Sequence, residues 1–196
     1  MPNTLEPLGL SASLNNMPDG ADHAVVLAEL HIRPALAEDS AVLAVLWRDT
    51  ADTLTRLDRR LRVAPDGLDR WRAAFVAGLS RTDQHSVVAM RGRTLIASMT
   101  GQINSNAPGF LPDRIGLISE LIVDSHGRGG GIGTRLADAL VQWFAAEGVT
   151  VIEARVPASN PIAQAFWRAS GATDMYHYLR LKQPKMTLKP VETETV

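Results

Sequence analysis

The spacing of apolar residues changes from segment to segment along this chain, and each change predicts an element. After Val25-Val26-Leu27, the run His31-Ile32-Arg33-Pro34-Ala35 reads as a short strand ended by proline. Asp39 or Ser40 stands where a helix cap belongs, ahead of Val42, Leu43, Val45, Leu46 and Trp47, and helical spacing resumes at Leu54, Leu57 and Leu61. Asp58, Arg59, Arg60 and Arg62 form the solvated face of that stretch. Pro65-Asp66-Gly67 is a turn, and Leu68, Trp71, Phe75 and Leu79 follow with the spacing of another amphipathic helix. Ser86–Met90 and Leu95–Met99 then read as two strands joined through Arg91-Gly92-Arg93, a hairpin.

The next stretch organises the rest. Leu117, Ile118, Leu121, Ile122 and Val123 make an almost continuous apolar run, as in a strand covered on both faces, with Glu120 embedded in it. Glycines follow at 127, 129, 130, 131 and 133, with Arg128 among them, and then Leu136, Leu140, Trp143 and Phe144 recur at helical spacing. A strand, a glycine loop holding one arginine, and a helix start form an anion site, most often one for phosphate. Beyond Glu147-Gly148, Val149–Val156 reads as a β-branched strand. Asn160-Pro161 opens a helix through Ile162, Ala163, Phe166 and Trp167 that stops at Gly171, and Asp174–Leu181 reads as a last strand. The order predicts an α/β layer with a mixed sheet.

Composition narrows the class. The 196 residues are 45% hydrophobic, enough for one substantial core over residues 23–183. Residues 1–22, rich in proline, glycine, asparagine and serine, predict a flexible arm, and 184–196 a loose tail. A net charge of −1 with both signs interspersed gives no field for nucleic acid or a membrane surface. Cysteine is absent, which removes disulfides, thiolate metal sites and a cysteine acyl-enzyme. With neither a basic apolar leader nor a run of ~20 apolar residues, the expectation is a cytoplasmic protein.

The glycine spacing excludes two familiar phosphate loops. A P-loop needs Gly-Lys-Ser/Thr at the helix start, but Gly133 is followed by Thr134-Arg135, and no lysine precedes Lys182. In the dinucleotide fingerprint the third glycine would fall on Thr134 or Leu136. A plain flexible linker does not fit either, because the loop lies between an apolar strand and an apolar helix face.

Val123-x-x-x-x-Arg128-Gly129-x-Gly131-Ile132-Gly133, with Leu136 following, resembles the central motif of the GNAT family of N-acetyltransferases, Gln/Arg-x-x-Gly-x-Gly/Ala. Ile32-Arg33-Pro34-Ala35 before Glu38-Asp39 resembles the family's first strand and helix, and Asn160-x-x-Ala163 before Phe166 and Gly171 its last helix. The likeness runs in order over about residues 30–181. It implies a mixed, mostly antiparallel central sheet flanked by helices, with a β-bulge near Ser119–Val123 and splayed central strands. It also implies acetyl-CoA as cofactor, an acetyltransferase domain over 23–183, and an amine acceptor. Ser125 stands where the family usually has proline, and Trp167 where many members carry the tyrosine that protonates the departing thiolate.

Carried onto this sequence, the resemblance gives the pyrophosphate to Arg128, Gly129, Gly130, Gly131, Ile132, Gly133 and Thr134, whose main-chain N–H groups open a helix. It gives the pantetheine arm to the backbone of Leu121, Ile122 and Val123, one N–H of which would polarise the thioester carbonyl, and a further contact to Asn160. Asn160 also has the simpler role of helix cap. Glu120 is the expected base, since an ammonium must lose its proton before it can attack; the competing role is an ion pair with Arg114 or Arg155. Trp167 cannot replace the acid, because an indole N–H does not ionise in this range, and Tyr176 and Tyr178 are core or substrate-wall candidates. A thiol of pKa about 8.5 leaves without a dedicated acid, and direct attack in a ternary complex is the route a chain without cysteine allows. The alternative function is a non-catalytic acyl-CoA-binding module, with the missing tyrosine in its favour. A homodimer through the last strands is a further expectation.

Overall fold

The computed structural model describes residues 30–125 and 129–181. The arm, the tail from 182 onward and residues 126–128, Arg128 among them, lie outside the described residues. The rest forms one five-stranded sheet in chain order: β1 Leu30–Pro34, β2 Gln84–Arg91, β3 Thr94–Ser105, β4 Arg114–Val123 and β5 Ile152–Ala154. Neighbours β1 to β4 are antiparallel, and β5 lies parallel to β4.

The helices are α1 Ser40–Leu57, α2 Gly67–Gly78, α3 Ile132–Ala146 and α4 Pro161–Ala169. α1 runs unbroken through both stretches of helical spacing before Leu57, then stops. Asp58 is extended and accepts hydrogen bonds from the main chain and guanidinium of Arg60, which takes Leu61 off the helix. Asp39 precedes α1 without capping it, because its carboxylate is already occupied. Arg33 donates to both of its oxygens at 2.7 and 2.8 Å, and the Leu36 N–H donates to it at 2.7 Å. The guanidinium holds the Asp39 carboxyl below the usual carboxylate range.

Two apolar clusters cover the two faces of the sheet. On one face α3 presents Leu136, Leu140 and Phe144, all with no exposed surface, to Ala97, Met99, Ile103 and Ile118. Each such side chain contributes on the order of 1.5–3 kcal/mol by leaving water. Phe144 reaches the sheet because β3 and β4 carry glycine beneath it: a Cβ on Gly101 or Gly116 would come within 2.8 or 2.7 Å of its ring. On the other face α1 and α2 bring Leu43 and Phe75 onto Val88 and Leu95.

β3 and β4 change register in the middle. Gly101 pairs with Ile118 and Thr100 with Glu120, so Ser119 has no partner and forms the bulge. Side chains alternate along a strand, so Ile118 and Glu120 would share a face in a regular one. The extra residue leaves Ile118 under α3 and turns Glu120 to the α1/α2 face.

β4 and β5 splay. They pair only at Gly116–Ile152, Leu117–Glu153 and Ile118–Ala154, with two flanking bonds, from the Gly116 N–H to the Val151 carbonyl at 2.9 Å and from the Arg155 N–H to the Ile118 carbonyl at 3.1 Å. The strand predicted over Val149–Val156 is therefore short. The predicted strand Asp174–Leu181 does not form: residues 171–181 are exposed and join no ladder, because β5 offers an edge only three residues long.

Candidate active site

Where β4 and β5 part, an open cavity of about 1410 Å³ lies between the C-terminal half of α1, the end of β4, the start of α3, α4 and the stretch Tyr176–Leu181. A single small-ligand site is ~300–1,000 Å³, so this space accommodates two reactants side by side.

Glu120 faces the cavity from the bulged strand. The Trp71 indole nitrogen donates to both of its carboxylate oxygens, at 3.0 Å to Oε1 and 3.2 Å to Oε2. Trp71 is held flat between Trp47 and Phe75, with ring centroids 5.6 and 5.3 Å away. Burial pushes the Glu120 carboxyl up to about 7; the Trp71 and Trp47 indoles oppose that rise by favouring the charged form. A carboxyl in that range gains and loses a proton at neutral pH. The ion-pair alternative fails among the described residues: Arg114 donates to the Glu147 carbonyl at 3.3 Å, and Arg155 stacks over Tyr178.

Helical spacing puts Trp71 on the apolar face of α2, where it lies, but gives no sign that its N–H serves Glu120. The available signal is general: a buried indole N–H needs an acceptor.

At the other end of the cavity, Gly129, Gly130 and Gly131 all have positive φ, at 103°, 62° and 71°. Gly131 is the N-cap of α3 and supplies no side-chain cap, so the first N–H groups of the helix are not covered from within. Open space surrounds a notional Cβ at Gly129. Gly133 has a different reason to lack a side chain, since its Cβ would stand 3.0 Å from Phe166 of α4. These features fit a polyphosphate group lying along the main chain.

The cavity brings together Glu120, Leu121, Val123, Gly129, Gly131, Ile132, Gly133, Thr134 and Asn160. Ile122 and Gly130 do not line it. The Asp124 N–H donates to Ile96 of β3, so by alternation Ile122 also directs its main chain to β3, and its side chain is fully buried. The main-chain groups of Leu121 and Val123 face the slot that β5 has vacated. Asn160 caps α4, its Oδ1 accepting from the Ala163 N–H at 3.1 Å. Trp167 lines the cavity at the tyrosine position, and Tyr176 and Tyr178 are walls of it, not core, at 61% and 80% exposure.

The sequence profile described as the acetyltransferase (GNAT) family matches residues 45–172. The chain belongs to the GNAT family. Membership makes it an acetyltransferase, and its sheet, bulge and splay are those of the GNAT fold. No curated protein matches it. Among solved structures, a tetramutant of the BH1408 protein from Bacillus halodurans is 23% identical with a TM-score of 0.69, over 78% of this chain and 99% of that one. A predicted acetyltransferase from Clostridium acetobutylicum, solved with acetyl-CoA, is 18% identical with a TM-score of 0.61, over 78% and 96%. An aminoglycoside acetyltransferase from an uncultured soil metagenomic sample, in complex with sisomicin, is 16% identical with a TM-score of 0.59, over 80% and 97%. Among the described residues of this GNAT chain, no helix is long and apolar enough to cross a membrane, and no cluster of metal-ligating side chains occurs.

Proposed function

We propose that this GNAT protein transfers the acetyl group of acetyl-CoA to a primary amine by direct attack in a ternary complex, with Glu120 as the base. The observation that carries the reading is the position of Glu120: a carboxyl with a pKa of about 7, reached from a cavity and held by an indole donor next to a vacated strand slot.

When bound, acetyl-CoA supplies an acetyl group activated as a thioester, whose C–S bond breaks as the N–C bond forms. Glu120 takes the proton that the ammonium must lose, directly or through one water, and the thiolate leaves to be protonated by solvent. The N–H of Leu121 or Val123, facing the slot, donates to the carbonyl oxygen as charge builds on it. The glycine backbone from Gly129 to Gly133, with Ile132 and Thr134 at the helix start, receives the pyrophosphate, helped by the positive end of the α3 dipole. Arg128 and Gly130 belong to the same cradle in this proposal. Asn160 holds the start of α4 against the pantetheine side.

The deciding experiment measures CoA thiol release from acetyl-CoA with a panel of primary amines, with mass detection of the N-acetyl product. Amine-dependent release matched by product supports the reading. If acetyl-CoA raises the melting temperature but no amine is acetylated, the proposed transfer to a primary amine fails.

A further inference from the structure

The charges around the cavity are unevenly matched, and this bears on the acceptor. Among the described residues that line it, the carboxylates are Asp58 and Glu120, while the arginines are Arg60, Arg155 and Arg180. Asp58 is not available to a ligand cation. Arg60 grips it at 2.8 Å through Nε and 2.7 Å through Nη2, which drives its carboxyl down to about 2. Arg180 donates to the Arg60 carbonyl at 3.0 Å, which ties the end of the described chain to the end of α1, and its positive charge also acts on Asp58. Arg155 stacks over Tyr178 with its guanidinium carbon 5.8 Å from the ring centroid. Among the described residues, no carboxylate stands within ion-pair distance of Arg155 or Arg180. The stretch Tyr176–Leu181 therefore crosses the cavity from Arg155 to Arg60 as a wall with surplus positive charge.

Between that charge and Glu120 the lining is mostly apolar: Trp47, Ala51, Leu54 and Leu57 from α1, interleaved with Thr50 and Thr53, and then Leu61 and Tyr176. These groups come from α1 and the turn after it, from the residue following β5 and from the C-terminal stretch, elements other than the glycine turn at the start of α3. A polycation would meet two arginines there and only one carboxylate, Glu120, that is not already paired. An anionic group on the acceptor would meet complementary charge.

Resting on the acetyltransferase reading above, we propose that the acceptor is a primary amine on an apolar body that also bears a carboxylate, with Arg180 and Arg155 receiving the carboxylate. Polycationic amines such as aminoglycosides are poor acceptors.

The test compares matched acceptors in the full chain: apolar α-amino acids and longer ω-amino acids, each against its amide, with hexane-1,6-diamine and an aminoglycoside as polycations. The expected result is a kcat/KM at least about tenfold higher for the carboxylate member of the best pair than for its amide. Arg180→Gln and Arg155→Gln should raise KM for that carboxylate acceptor about tenfold or more, leaving the amide and the Kd for acetyl-CoA unchanged. Equal use of acid and amide, or preference for a polycation, overturns the proposal. So does loss of acetyl-CoA affinity in both arginine variants, which would assign them to the cofactor. If no amine in the panel is acetylated although acetyl-CoA binds, the acetyltransferase reading itself has failed, a result distinct from a wrong charge preference.

Discussion

The indole nitrogen of Trp71 lies 3.0 Å from one oxygen of Glu120 and 3.2 Å from the other, across 49 positions of sequence. α2 supplies the donor and the bulged β4 the acceptor, so two elements with no local relationship set one titrating group. Burial makes the carboxylate costly, and the indole offsets part of that cost by stabilising the charged form.

Removing the base tests the chemistry most directly. Glu120→Gln should lower kcat/KM by ~10²–10⁴, the usual worth of a positioned base. The rise in melting temperature on adding acetyl-CoA should persist, because the substitution leaves the glycine turn intact. Steady-state kinetics and a thermal shift with acetyl-CoA, on the same preparation, check both halves.

Trp71→Phe keeps the ring in the stack with Trp47 and Phe75 and removes only the donor. The Glu120 pKa should then climb above about 7, since a contribution that lowers it is gone. Activity requires the deprotonated base, so the acid limb of the kcat/KM against pH profile should move to higher pH. A limb that stays in place would mean another group controls it.

The same carboxyl links pH to stability. At pH 4 and below, Glu120 is protonated in both the folded and unfolded states and contributes nothing. As pH rises past 4.5 the unfolded state ionises first, while the folded state holds its proton until about 7, so folding carries a penalty that grows over this window and then levels off. Glu120→Gln, whose side-chain oxygen still accepts from Trp71, should match the parent's melting temperature near pH 4 and exceed it at pH 8. Thermal melts across that range read the difference.

Packing predicts a cost on the other face of the sheet. Gly116→Ala places a methyl 2.7 Å from Phe144, which is fully buried and cannot swing into solvent. Destabilisation of about 1–3 kcal/mol should follow, measured as a shift in urea midpoint at constant slope. Gly101→Ala, at 2.8 Å from the same ring, should behave alike, and the double variant should cost less than the sum because both press on one side chain.

Arg128→Ala addresses the cofactor. If Arg128 makes a charge-assisted contact with the pyrophosphate, as we propose, affinity for acetyl-CoA should fall by about 1.5–3 kcal/mol. Isothermal titration gives the value directly; an unchanged Kd would make Arg128 a solvated loop charge.

Local chemistry determined much of this protein. Asn160-Pro161 and Gly171 punctuate α4 where the sequence places them, the hairpin turns at Gly92, and the apolar run with its glycines yields β4, a loop of positive φ and α3. These features follow from caps, φ preferences and short-range periodicity, which a chain carries without reference to its partners. Periodicity marks Glu120 only as a carboxylate embedded in an apolar strand; its role as candidate base comes from the resemblance of the neighbouring glycine motif to the GNAT pattern.

Tertiary structure decided what depends on long-range neighbours. Strict alternation would leave Glu120 beside Ile118 under α3; only pairing with β3, which leaves Ser119 unpaired, turns it toward Trp71. Arg60, on a stretch whose pattern reads as a solvated face, lines the cavity because Asp58 bends the chain after α1. Asp174–Leu181 has the composition of a strand but no edge to pair with, so its tyrosines became cavity walls. A strand, a donor and a wall each need a second segment in place, and the spacing of residues along one segment does not contain that information.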